Sequence, residues 1–350
     1  MRGFNKTRTR SLVLVSMGFG LLLALLAPAT ALASPDGPPS ALEPASPASA
    51  AIADLHTAVL LIAAGVFVVV EGLIVFAAIR FRRRPQDAGE PPQIHGNTRL
   101  EIAWTVAPAI IVVSLFVLTL RAQQTIDAAA QPAAAGDPMT VQVIGHQWWW
   151  EFAYPDYGVT TANEMVIPTG RLVNLEITST DVIHSFWVPE LGGKTDAMQG
   201  VTNRSWLKTD APGEYYGQCA ELCGVSHANM RLVVKAVSPE EFEAWAASQA
   251  QDAAAPADEA AQAGLQVFQS AGCVGCHVIR GAAGSGKLGP DLTHVYGRSC
   301  FAGCTLAITP YNLEKWVADP PAVKPGSLMP KLDLSAPDIA SLVAYLQTLK

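Results

Sequence analysis

The stretch CAELCGVSHANM, residues 219–230, sets two thiols (Cys219, Cys223), an imidazole (His227) and a thioether (Met230) within twelve residues. A second imidazole stands upstream in HSF at His184. Soft thiolate and thioether donors combined with imidazole select copper over the oxygen-seeking ions magnesium and calcium. One Cys, two His and one Met would complete a mononuclear blue-copper site. The second cysteine, four residues on, allows both sulfurs to bridge a pair of coppers. A centre filled by protein ligands has no open position for a substrate, so the pattern points to electron transfer. The plainer alternative is a Cys219–Cys223 disulfide beside core histidines. It leaves the offsets of His227 and Met230 unexplained.

Outward from this stretch the chain reads as short alternating segments, VQVI at 141–144, LVNLEI at 172–177 and RLVV at 231–234, separated by Gly, Pro and Asp turns. Period-two, β-branched runs of this kind predict a β-sandwich or barrel over residues 138–240. Within it, Trp148, Trp149 and Trp150 would alternate faces on a strand, so at least one is ordinary packing.

Upstream, the character changes. Arg2, Lys6, Arg8 and Arg10 precede an apolar run and then Ala31-Leu32-Ala33, the layout of a secretory signal over 1–33; an uncleaved anchor helix is the alternative. Residues 34–51 are rich in Pro, Ser and Ala and predict a flexible lead-in. Two apolar segments, 55–79 and 102–120, approach the ~20 residues needed to span a bilayer and predict a transmembrane hairpin over 52–122, with an amphipathic soluble hairpin as the weaker reading. Arg80, Arg82, Arg83 and Arg84 lie between them and belong in the cytoplasm, which puts everything after Arg121 outside. Glu71, inside the first span, would be costly against lipid and is expected to face a partner helix or subunit.

The order HQWWWEF (146–152), HSFWVPELGGKTDAMQG (184–200) and CAELCGVSHANM (219–230), after a hairpin containing LEIAWT (100–105), closely resembles subunit II of cytochrome c oxidase. The resemblance covers roughly residues 52–240. It implies a cupredoxin-like domain holding a dinuclear CuA centre on His184, Cys219, Cys223, His227, Met230 and the backbone carbonyl of Glu221. It further implies a magnesium shared with subunit I on the Glu221 carboxylate, with Asp196 nearby. Trp148 would receive electrons for the copper, and Glu101 would stand at the mouth of a proton route into subunit I. Ordinary packing and an interface charge are the plainer readings of these last two residues. Trp149 departs from the Tyr common at that position in the family.

Downstream, residues 249–263 read as an Ala/Pro/acid-rich linker or a weak helix. Cys273-Val274-Gly275-Cys276-His277 then has the C-x-x-C-H form of covalent haem attachment, in which two thiols add to the haem vinyls and the His reaches iron. A redox dithiol or part of a zinc site shares these residue types, but an outer-face location favours haem. Met329, the only Met after the motif, is the candidate second axial ligand, with a core Met as the alternative. Ser335-Ala336-Pro337-Asp338 predicts a capped helix start, followed by the stripe Ile339, Leu342, Val343 and Leu346. Residues 264–350 resemble a class I cytochrome c domain. That resemblance implies that Gly289-Pro290 seats the proximal His277 and that Gly297-Arg298 contacts a haem propionate. Cys300 and Cys304 fall outside the usual pattern. A local disulfide, a metal site with His294 and buried thiols all remain open for them.

The expected architecture is therefore multi-domain: a two-helix transmembrane hairpin, an all-β cupredoxin-like domain, then an all-α cytochrome c domain. At 350 residues there is room for about two or three domains, and the net charge of −7 argues against nucleic acid as a partner. The resemblance implies the electron-accepting subunit of a bacterial, caa-type terminal oxidase in the plasma membrane, with both metal sites on the extracytoplasmic side. Its partners would be oxidase subunit I and subunit III, and its donor a cytochrome c or a cytochrome bc-type reductase. The same architecture could instead feed a nitric or nitrous oxide reductase, or act as a stand-alone membrane electron carrier.

Overall fold

Helix α1 (Pro47–Arg80) and helix α2 (Thr98–Ala129) carry exposed apolar side chains along nearly their whole lengths. The computed structural model describes residues 40–83, 89–90, 93, 95–130, 138–256 and 258–350; the expected signal over 1–33, the first part of the lead-in and Arg84 lie outside the described residues. Among the described residues, α1 and α2 are the two helices long and apolar enough to cross a membrane. Glu71 lies exposed on α1, so any group that covers it comes from outside the described residues.

Helix α1 starts earlier than the expected 52, inside the segment read as flexible. Ser46 and Ser49 form a reciprocal capping box and Pro47 opens the first turn, a strong local start signal. The same residues are pinned to the β domain. Ser46 Oγ donates to Leu191 O at 2.7 Å, Ser49 Oγ to Glu190 O at 2.6 Å, and Thr209 Oγ1 to Ala45 O at 2.7 Å. The lead-in is therefore ordered from about Ala45, because its serines satisfy otherwise open backbone carbonyls. Helix α2 is capped by Asn97, whose side chain accepts from Arg99 and Leu100, while the Glu101 carboxylate accepts from the Asn97 N–H at 3.1 Å.

The β domain is a two-sheet sandwich. Strands β1 (Met139–His146), β2 (Trp149–Tyr154), β3 (Val159–Ala162), β5 (Val173–Ser179) and β8 (Asn203–Leu207) form one sheet in the order β3-β2-β1-β5-β8. Strands β4 (Glu164–Pro168), β6 (His184–Trp187), β7 (Thr195–Ala197), β9 (Gly213–Cys219) and β10 (Arg231–Val237) form the other, in the order β4-β10-β9-β6-β7. The strict alternation on β1 and β5 buries Met139, Val141 and Val143 against Val173, Leu175 and Ile177. The tryptophan run does not lie on one strand. Gln147 and Trp148 form the β1–β2 turn, leaving Trp149 and Trp150 to start β2. Trp150 is core and stands edge-on to Phe186.

Helix α3 (Pro239–Gln249) seals the sandwich with Phe242 packed on Tyr154 and Tyr157. The connection to the helical domain is shorter than the expected linker and is tied down. The Arg280 guanidinium donates to the carbonyls of Gln249, Ala250 and Gln251, and Ala253 N donates to Arg280 O. Helix α4 (Glu259–Ser270) then packs on α6 (Ala336–Leu346), with α5 (Pro310–Ala318) completing the core of Phe268, Leu313, Val317, Leu342 and Leu346. Ser335 and Asp338 form the expected capping box of α6. A small hairpin, β11 (Cys300–Phe301) and β12 (Leu306–Ala307), projects from this domain.

Candidate copper and haem sites

The loop that follows β9 folds back on itself and brings the sulfur and nitrogen donors together. Cys219 ends β9 opposite Phe186 on β6, which sets it beside His184 at the head of that strand. His184, Cys219 and Cys223 offer ligand atoms all within 4.8 Å of one another. Around them, Cys219 Sγ lies 3.7 Å from Cys223 Sγ, Cys223 Sγ lies 3.6 Å from His227 Nδ1 and 3.8 Å from Met230 Sδ, and Cys219 Sγ lies 3.2 Å from Glu221 O. The loop thus gathers four side chains and a carbonyl, and β6 adds His184, the donors that the sequence resemblance named.

The donor chemistry fits copper. His184 is fully buried, yet its Nδ1 has no hydrogen-bond partner, a costly arrangement unless a metal accepts the lone pair. Its Nε2 is held at 2.7 Å by the Asp181 carboxylate, the outer-shell contact that fixes a ligand imidazole's orientation. Burial would raise Asp181, but the contact with His184 and the Gln147 and Val182 N–H groups outweigh it and hold the carboxyl below its usual range. The hydrogen bond from Cys223 holds the Cys219 thiol well below its usual range despite burial, while Cys223 is pushed up in turn, so the pair supplies one thiolate for a soft metal. Asp181 was not found from the sequence. Its only signal there is a carboxylate three residues before a ligand histidine.

Trp148 lies against this centre. Its Nε1 donates to Cys223 O at 3.0 Å, and Gln147 Nε2 donates to the same carbonyl at 2.8 Å. Trp148 also borders a cavity of about 420 Å³ that has Cys273, Cys276, His277, Met329, Pro290 and Arg298 on its walls. His277 Nδ1 donates to Pro290 O at 2.8 Å, which leaves Nε2 as the free lone pair. Burial pushes the His277 imidazolium down, so the neutral ring a metal needs is favoured. A Cβ at position 289 would collide with the His277 ring, so Gly289 lets the backbone close over it. Arg298 is buried on the cavity wall with Nε unpartnered, a donor suited to an acidic substituent of a bound group. An apolar slot with paired thiols, a free imidazole nitrogen, a thioether and a waiting guanidinium suits haem c.

The structure also places the remaining expected residues. The Glu221 carboxylate is half-exposed and 4.0 Å from Lys194 Nζ, and Asp196 is exposed on β7. Cys300 and Cys304 are joined in a disulfide, and His294 instead contacts Lys350 O and Gln251 O.

Comparison with known proteins agrees with this geometry. Residues 41–122 match the transmembrane domain of cytochrome c oxidase subunit II, 158–237 its periplasmic domain, and 261–350 cytochrome c. Cytochrome c oxidase subunit 2 of Alkalihalophilus pseudofirmus is 39% identical over 313 residues, spanning 89% of this chain and 91% of that protein. The chain belongs to the cytochrome c oxidase subunit II family. The corresponding subunit of Bacillus sp. PS3 is 38% identical, over 77% of this chain and 80% of its own. The crystal structure of the periplasmic domain of subunit II (CoxB) of Bradyrhizobium japonicum is 34% identical and covers 33% of this chain and 96% of that one, at a TM-score of 0.32. The protein is thus the electron-input subunit of a haem–copper terminal oxidase, set in the membrane by two helices, with a periplasmic copper domain and a fused cytochrome c. The readings as a nitric or nitrous oxide reductase subunit or as a lone carrier give way to this family assignment.

Proposed function

We propose that electrons enter this subunit at the cytochrome domain and cross to the copper domain through Trp148. When bound, haem c and the copper pair supply reversible one-electron chemistry between an external donor, a cytochrome c or a cytochrome bc-type reductase, and subunit I. The observation that carries the reading is that Trp148 forms a wall of the haem cavity and also donates to the carbonyl of a copper-ligand cysteine. The chain's residues then divide the work. Cys273 and Cys276 would tether the porphyrin, His277 and Met329 would hold its iron, and Pro290 fixes the His277 ring. Arg298 would pair with a propionate. His184, Cys219, Cys223, His227, Met230 and the Glu221 carbonyl would hold the copper pair, with Asp181 orienting His184.

Two further roles belong to the boundary with the catalytic subunits. The Glu221 carboxylate, held near Lys194, would take a magnesium shared with subunit I, with Asp196 close by. Glu101 caps the start of α2, and at that position it can also pass protons toward subunit I. The exposed Glu71 would be covered by subunit I or subunit III. Oxygen uptake by the purified native complex, driven by reduced cytochrome c, tests the proposal. Uptake that disappears when haem c is removed genetically supports the route. Uptake that continues at the parent rate without haem c contradicts it.

A further inference from the structure

The hairpin carrying Cys300 and Cys304 is the part of the helical domain that its cytochrome resemblance does not explain. Phe301 and Ala302 pack on the helical core, while Gly303 and Cys304 reach the copper domain. Ala302, Gly303 and Cys304 all adopt left-handed backbone, at φ 54°, 73° and 51°, and two of the three are residues that disfavour it. The disulfide between Cys300 and Cys304 closes the loop around them.

That tip is pressed onto the copper domain. The N–H of Arg231, the residue after the ligand Met230, donates to Gly303 O at 2.9 Å. Cys304 Sγ lies 3.4 Å from Asn163 O. At the base of the hairpin, Ser299 donates through both N and Oγ to the buried Glu164 carboxylate on β4, at 2.8 and 2.6 Å, while Lys235 pairs with the same carboxylate at 3.0 Å. From the opposite side Lys324, itself buried, donates through Nζ to Trp148 O at 2.5 Å and to Ala302 O at 2.9 Å. Ser226, inside the copper-ligand loop, donates to Pro325 O. Position 303 has no room to spare: a Cβ there would meet Asn229 O, Lys324 Nζ and Trp148 O.

We infer that the Cys300–Cys304 loop is a docking clamp: it seats the cytochrome domain over Trp148 and holds the intrachain electron path closed. Lys324, Ser299 and Glu164 are its positioning residues. Gly303 O accepts from the Arg231 N–H and Ser299 donates to Glu164, and the disulfide closes the loop that carries the first of these contacts and adjoins the second. The inference rests on the relay from haem c to copper proposed above.

The test uses the full-length, metal-loaded chain with two variants. Cys300→Ser/Cys304→Ser removes the cross-link. Gly303→Ala keeps it and blocks the seat. Hydrogen exchange at the Arg231 and Ser299 amides reports docking directly. Transfer from photoreduced haem c to the copper centre reports its consequence. Both variants should accelerate exchange at those amides by at least about tenfold and slow transfer by a similar factor. The haem and copper absorption bands should keep the parent form. Parent exchange and transfer rates, within about twofold, in both variants would overturn the clamp. If the double variant fails to take up haem c, Gly303→Ala decides by the same two readouts. A parent chain that docks but shows no transfer would sink the relay and leave the clamp to be judged on exchange alone.

Discussion

Gly145→Ala is a small change with a calculable effect on the copper centre. Gly145 lies near the end of β1, and a Cβ placed there would sit 2.7 Å from His184 Cδ2 and 3.1 Å from Cγ. Carbon atoms in contact settle at about 3.5–4.0 Å, so the imidazole would have to retreat by about 0.8 Å. It has little freedom to do so: the ring is fully buried, held by Asp181 at 2.7 Å and flanked by Trp150. Ligand geometry tolerates only about 0.5 Å of error, and overpacking a filled core costs about 1–3 kcal/mol. On backbone grounds alone, Gly to Ala in a strand would be stabilising, by roughly 0.5–1 kcal/mol, so the two effects have opposite signs. Copper per chain, the near-infrared band of the copper pair and the melting temperature are the assays, with the haem c band as an internal standard. The expected result is lost or displaced copper absorption and a lower melting temperature beside an unchanged haem band. Gly192→Ala, where a Cβ would meet nothing within 4 Å, is the control and should match the parent. A Gly145→Ala chain with parent copper absorption and melting would refute the placement of His184 as a ligand.

Met329→Ala should shift the haem c absorption and lower its potential, because thioether ligation raises it; the copper bands should persist. Unchanged haem spectra would remove Met329 from the ligand set. Cys223→Ser should abolish the near-infrared band of the two-copper centre, and two coppers per chain with that band intact would contradict bridging. Burial pushes the Lys324 ammonium down to about 7 in the docked chain, whereas an undocked Lys324 would titrate near its ordinary value. The undocked form therefore holds the extra proton between those two values. Docking tightens as pH rises from about 7 toward ~10.4, by up to about 1.4 kcal/mol per pH unit; below about 7 the burial penalty on this group is complete and constant, and above ~10.4 it is gone. Resistance of the docked chain to limited proteolysis, followed against pH, should rise across that range and lose its slope in Lys324→Met.

Much of the copper site was legible because its donors are close in sequence: Cys219 to Met230 form one loop, and chemistry alone restricts what such a set can bind. The C-x-x-C-H motif was equally local. What escaped was whatever depends on how the chain turns locally or on approach between distant segments. Asp181 aligns His184 only because a turn after β5 brings it under the ring. Glu164 meets Ser299, and Trp148 meets Lys324, across two domains and more than 130 residues of sequence in each case, and no periodicity announces such contacts. Trp148 was misplaced on a strand because three consecutive tryptophans carry no alternation that could mark a turn. The early start of α1 and the shortened linker have one cause: Ser46, Ser49 and Arg280 satisfy backbone carbonyls of other segments, and that ordered stretches whose composition reads as loose.

The central claim is that this chain passes electrons internally, from the cytochrome cavity past Trp148 to the copper loop. The most direct measurement is to reduce haem c with a light pulse in the oxidised full-length chain and follow the haem and copper bands together. Haem oxidation should coincide with copper reduction, at a rate independent of protein concentration and slowed when Trp148 is replaced by Ala. A rate that rises in proportion to protein concentration, or haem that stays reduced while copper stays oxidised, would contradict the account.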